Sequence, residues 1–156
     1  MAGAPAGSRL TAGFVLWYGA YQAVHVVVNS RALLMLSQQR KIDFPAPPPP
    51  GGWSPQVLDF FVAMTSVDLA NAILALLFVW GFFRASRWHV WLGTVTLTVS
   101  VYAAVVFDVA TWASGAWTAA NAPAYWGINV AFVPIVLLFG MWGWRHMSQF
   151  NPGKGG

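Results

Sequence analysis

Apolar residues in this chain come in long runs rather than in short alternations with polar ones. Four runs stand out, roughly 12–36, 57–83, 88–113 and 123–144, each at or above the ~20 apolar helical residues that cross a ~30 Å bilayer core. The pattern predicts an all-α integral membrane protein: one domain, a bundle of four transmembrane helices. Between the first two runs lies a Pro-rich loop, roughly 45–55, that contains Pro45-Ala46-Pro47-Pro48-Pro49-Pro50-Gly51-Gly52. Proline has no N–H for a helix and fixes its own backbone angle, so this segment reads as a stiff, extended spacer. The second connection, Arg84-Ala85-Ser86-Arg87, is short and basic. The third, around Ser114–Asn121, is uncharged, and the tail from Asn151 to Gly156 reads as a frayed end.

Each run is interrupted by polar residues on one face. On the first helix Tyr18, Gln22, His25 and Asn29 recur at intervals of four, three and four, which places them on one side. On the second, Thr65, Asp68 and Asn71 recur every third residue. The third carries Thr94, Thr98, Val105, Asp108 and Trp112 along one stripe. The fourth carries Tyr125 and Asn129, followed by a kinking Pro134. Four such stripes are expected to converge inside the bundle. An Asp at the centre of a span costs about 2.5–3.5 kcal/mol, so it is expected to face inward and find a partner.

Depth follows from the helical rise. Counted from the outer helix ends, His25 and Asp68 lie about 16 Å deep, and Asn29, Asp108 and Asn129 about 8–10 Å deep. The expectation is a deep histidine–carboxylate layer under a shallower amide–carboxylate layer, with Arg31 above it. The candidate ligand-binding or proton-handling residues are therefore His25, Asp68, Asn29, Asn71, Asp108, Asn129, Gln22 and Tyr18. The competing interpretation is plain interhelical hydrogen bonding, worth about 0.6 kcal/mol per bond, and it applies first to Asn71, Asn129 and the threonines. His89 and His146 sit among tryptophans, where interfacial anchoring is the default. Gly140 and Gly143 permit close helix approach without the four-residue spacing of a dimer motif.

Composition narrows the function classes. Only 8% of the 156 residues are charged, against about 25% in soluble domains. Cysteine is absent, which excludes disulfides, thiolate metal sites and thiol redox chemistry. The net charge of +4 is dispersed, with no basic run, so no nucleic-acid partner is expected. Ten tryptophans fall towards the two ends of the four predicted spans, as interfacial residues do. Arg9, Arg84, Arg87, Arg145 and Lys154 on one side outnumber Arg31, Arg40 and Lys41 on the other. That bias predicts both termini in the cytoplasm, in a plasma or inner membrane. The polar residues within the first run mark it as a retained anchor rather than a cleaved signal.

Cofactor chemistry is limited by the same residues. A bis-histidine haem needs two membrane-embedded histidines, and only His25 lies within a span. A bound lipid, or a single pigment on His25, is compatible with the pattern. His25 and Asp68 fall short of the three ligands of a catalytic zinc, so no metal is expected. No phosphate loop or nucleophile elbow occurs, and Ser30, Ser66 and Ser100 show no triad context. No lysine lies in a span to hold a retinal.

The four-helix layout, the long Pro-containing first loop and the polar residues of the first two helices resemble the emopamil-binding, sterol-isomerase-like membrane domain. Those isomerases rely on a histidine and two glutamates. The resemblance would set Asp68 at one acidic position; this chain has no glutamate, and no second acidic counterpart is identifiable.

Three functions follow as expectations. The first is a small helical subunit or accessory of a larger membrane complex, in contact with membrane lipids and with other subunits or copies of itself. The second is a lipid- or isoprenoid-binding protein, isomerase-like in its use of His25 and Asp68. The third is a small proton-coupled carrier.

Overall fold

A computed structural model describes residues 6–38 and 46–146, with side chains from Arg9 onward. The chain forms four helices, α1 (Ala6–Ser37), α2 (Pro55–Phe83), α3 (His89–Ala113) and α4 (Ala122–His146), with no strand among the described residues. Helices α2, α3 and α4 are each long and apolar enough to cross a membrane. α1 is the longest at 32 residues and the least apolar, because it carries Arg9, Arg31 and the Tyr18–Asn29 polar stripe. It begins about six residues before the apolar run suggests, running through Gly7-Ser8-Arg9 despite the low helix propensity of glycine. Arg40, Lys41, Asp43, Pro45 and the tail with Lys154 lie outside the described residues.

Local sequence explains the ends. Ser54 caps α2 by accepting the Val57 N–H, and Pro55 occupies the first helical position, where its missing N–H costs nothing. α3 stops at Gly115, whose φ of 73° turns the chain left-handed. The Ala116 N–H then reaches back to the Thr111 carbonyl, and the Gly115 N–H to that of Trp112. α2 ends with the same pair of bonds, Ser86 to Gly81 and Ala85 to Phe82, but its left-handed residue is Ala85, with φ of 52°.

The helices form a ring: α1 and α3 each lie against both α2 and α4. The end holding the α2–α3 turn is filled by an apolar core that includes Val15, Phe78, Leu97, Ile135, Leu138 and Trp142. Gly93 makes that core possible, because a Cβ there would fall 2.6 Å from Trp142 and 2.7 Å from Phe78. At the other end a smaller cluster joins Ala46, Ala116 and Tyr125, with Trp53, Phe107 and Trp117 packed on it. The Pro-rich loop is part of this cluster and not only a spacer. The Tyr125 hydroxyl donates to the Pro47 carbonyl (2.7 Å), and the Asn121 amide to that of Pro48 (2.9 Å).

One expectation changes. On α3, Val105 and Trp112 point outward, 57% and 71% exposed, and Thr98 is exposed too. The face turned inward holds Gly93, Thr96, Leu97 and Ser100. The threonines do not need the interior, because Thr94, Thr96 and Thr98 each donate to the carbonyl four residues back. In addition, Trp17 ties α1 to α4 by donating from its indole to the Ala131 carbonyl (2.9 Å). That carbonyl is next to the one that Pro134, lacking an N–H, leaves without a helical partner.

Candidate functional site

Between the two packed ends the bundle is polar. The centre is Asp68 on α2. Its Oδ2 accepts from His25 Nδ1 at 2.6 Å and from Asn29 Nδ2 at 2.7 Å, both on α1. Residues 25 and 29 are one helical turn apart, so both donors reach the same carboxylate oxygen. The His25–Asp68 contact is the one ion pair among the described residues. With Nδ1 turned to the carboxylate, His25 Nε2 and Asp68 Oδ1 make no hydrogen bond among the described residues. The Tyr21 ring lies over the imidazole, centroids 4.6 Å apart, and holds its orientation.

One layer deeper, Ser100 on α3 joins three helices. Its Oγ lies 3.0 Å from Gln22 Nε2, 2.9 Å from Asn71 Nδ2 and 2.8 Å from the Tyr18 hydroxyl. The two amides fill the hydroxyl's two acceptor positions, so the Ser100 proton goes to Tyr18. Tyr18 is fully buried and Gln22 and Asn71 nearly so. One atom of the group is left over: Gln22 Oε1 is buried without a hydrogen-bond partner. Nearer the Pro-rich loop, Asn129 Nδ2 donates to Asp108 Oδ1 and to the Tyr125 carbonyl, both at 3.1 Å. Arg31 is exposed and makes no ion pair with Asp108.

His25, Asn29, Asp68, Gln22, Ser100, Asp108 and Asn129 line a cavity of about 300 Å³ shared by all four helices. Its surface is mainly apolar, from Val28, Phe61, Met64, Ala104, Phe107 and Phe132, with His25, Asn29, Asp68, Asp108, Asn129 and Gln22 set into it. Such a wall, mostly apolar with a few convergent polar atoms, is typical of small-molecule sites. Ala46 of the loop closes one end. The apolar core lies beyond the Ser100 layer at the other. Val24 on α1, one residue before His25, is the exposed member of the lining, at 60%. The Tyr21 and Phe132 rings meet edge-on at 5.8 Å and join α1 to α4 beside it. Val24 is therefore where the cavity lining reaches the outer surface of the bundle.

Of the eight residues singled out from sequence, His25, Asn29, Asp68, Asp108, Asn129 and Gln22 line this cavity. Tyr18 and Asn71 lie behind it and hold Ser100. Ser100 itself, dismissed on triad grounds, is the joint of the inner layer, and Ala46 is the residue that sequence reasoning left in a spacer. His89 and His146 are remote; each Nδ1 donates to a nearby backbone carbonyl, of Ser86 and Trp142 respectively. Among the described residues no three metal-ligating side chains gather. Comparison with protein-family models, with curated proteins and with solved structures finds no significant match.

Proposed function

We propose that the protein binds a lipid- or isoprenoid-like molecule taken from the bilayer, with the His25–Asp68 pair as the proton-handling group at its polar end. The observation that carries this reading is the unpaired Nε2 of His25 and Oδ1 of Asp68 in the wall of a largely apolar cavity. An apolar body suits the phenylalanine and aliphatic lining, while one polar group suits the dyad and the unpaired Gln22 Oε1. The exposure of Val24, a lining residue, on the side of the bundle suits a ligand already dissolved in lipid. In this arrangement Asp68 fixes the imidazole through Nδ1, and Nε2 exchanges a proton with the ligand, the division of labour of an oriented acid–base histidine.

The topology belongs to the same proposal. α1 is the fourth span, accommodated because α2 and α3 supply partners for its polar stripe. Both termini are cytoplasmic, by the arginine bias, in a plasma or inner membrane. The carrier reading is less favoured, because the packed core at the α2–α3 end gives Asp68 no second exit. The subunit reading is the alternative, favoured by the large apolar side chains exposed on all four helices.

Purification in mild detergent followed by lipid extraction tests the choice. The expected result is one defined apolar molecule per chain, lost in Asp68→Asn with helix content retained. Deuterium exchange from D2O into that molecule, present in the native protein and absent in the variant, would establish proton transfer. A protein free of such a ligand, eluting in a stoichiometric hetero-complex, would replace this function with the subunit reading.

A further inference from the structure

The two ends of the bundle differ in charge as well as in packing. Among the described residues, the carboxylates Asp59, Asp68 and Asp108 all lie on the Pro-rich-loop side of the Ser100 layer. The α2–α3 end carries Arg84 and Arg87 in its turn, with Arg9 and Arg145 on the helix ends beside it, and no acidic residue occurs in 69–107 or 109–146.

The turn is built on indoles. Trp80 and Trp88 pair across it, centroids 5.7 Å apart. Trp88 lies directly on the α2 backbone at Gly81, where a Cβ would come within 2.5 Å of its ring. The Arg84 guanidinium sits over Trp80 at 5.9 Å. Trp80, Trp88 and Trp91 are 54%, 40% and 67% exposed, and both arginines are exposed beside them. The left-handed Ala85 and the Ser86-to-Gly81 hydrogen bond fix the backbone between the two guanidinia.

We infer that the α2–α3 turn binds the phosphate headgroup of an anionic phospholipid, with Arg84 and Arg87 on the phosphate and Trp80, Trp88 and Trp91 against the upper acyl chain. A guanidinium presents a planar fork of donors that matches phosphate oxygens. Indoles lie at the boundary between headgroup and chain. Among the described residues no acid pairs with Arg84 or Arg87, which leaves their charge for an outside anion. An acidic segment of a soluble protein would satisfy the arginines but leave the three indoles uncovered; a phospholipid covers both. This site is separate from the cavity and does not rest on what the cavity binds.

The test is native mass spectrometry of the full chain, released from neutral detergent, titrated with phosphatidylglycerol or with phosphatidylcholine of the same acyl chains. The expected result is retention of phosphatidylglycerol in preference to phosphatidylcholine. Arg84→Gln and Arg87→Gln should each reduce that preference about five-fold. The double Lys variant, which keeps the charge and loses the fork, should retain part of it and confirms that loss in the Gln variants is not misfolding. Equal binding of the two lipids by the native chain would overturn the proposal. So would a preference unchanged in the double Gln variant, or phosphatidylglycerol displaced by an equal concentration of inorganic phosphate.

Discussion

Ser100 shows how much one hydroxyl can carry in an apolar bundle. It receives two buried amides and donates to a buried tyrosine, so Ser100→Ala strands three polar groups at once. Leaving a buried polar group unpaired costs about 1–3 kcal/mol. Ser100→Ala should therefore lower the thermal midpoint in detergent clearly, read by circular dichroism; an unchanged midpoint would mean that the three groups find other partners. Asp68→Asn should behave differently. Asparagine can still accept from His25 and Asn29 through its carbonyl oxygen, so stability should hold to within about 1 kcal/mol, while any proton-dependent activity is lost. The dyad was legible in the sequence because a helical repeat and a depth count fix where two groups meet. Ser100 was not, because a single serine has no periodic companions on its face. The neighbouring threonines gave a more conspicuous stripe, yet their hydroxyls are satisfied by their own helix and say nothing about which side faces in.

At the scale of elements, the four helices were readable from their apolar runs, and their ends only in part. The α2–α3 turn uses a left-handed alanine where α3 ends on a left-handed glycine. An L side chain in that conformation costs about 1–2 kcal/mol, and glycine does not. Ala85→Gly should thus raise the unfolding midpoint in detergent, offset in part by glycine's greater freedom when unfolded; a lowered midpoint would contradict the strain argument. The Pro-rich loop shows the limit of composition. Its stiffness was evident from the prolines, but its attachment was not, since the acceptors are backbone carbonyls that no side-chain pattern reveals. Tyr125→Phe removes the shorter of the two attachments. Faster proteolysis at residues 46–52, with the helices intact, is the expected result.

For the whole molecule, packing and charge divide the bundle into a closed, basic end and a cavity-bearing end. Reporter fusions at the N-terminus and in the Pro-rich loop should report opposite sides of the membrane, with the N-terminus cytoplasmic. The same side for both would remove α1 from the membrane, and with it the proposed four-span topology. α1 is where sequence and structure are hardest to reconcile by hydropathy alone. Its polar stripe lowers its apolarity, yet Gln22, His25 and Asn29 are all held by residues of other helices. Hydropathy weighs a segment by itself; the bundle supplies partners that such a scale does not see.

Those partners come late in the chain. Asp68 is made about forty residues after His25 and Asn29, and Ser100 more than seventy after Tyr18 and Gln22. While the protein is being synthesised, the first helix therefore exists for a time with its polar face without these partners. If α1 spans the membrane as proposed, His25 and Asn29 gain their partner when α2 brings Asp68, and Tyr18 and Gln22 gain theirs when α3 brings Ser100. On the proposed topology the hydrogen bonds order assembly: α1, translated first, reaches its full set of partners on α2 and α3 only once α3 has been made.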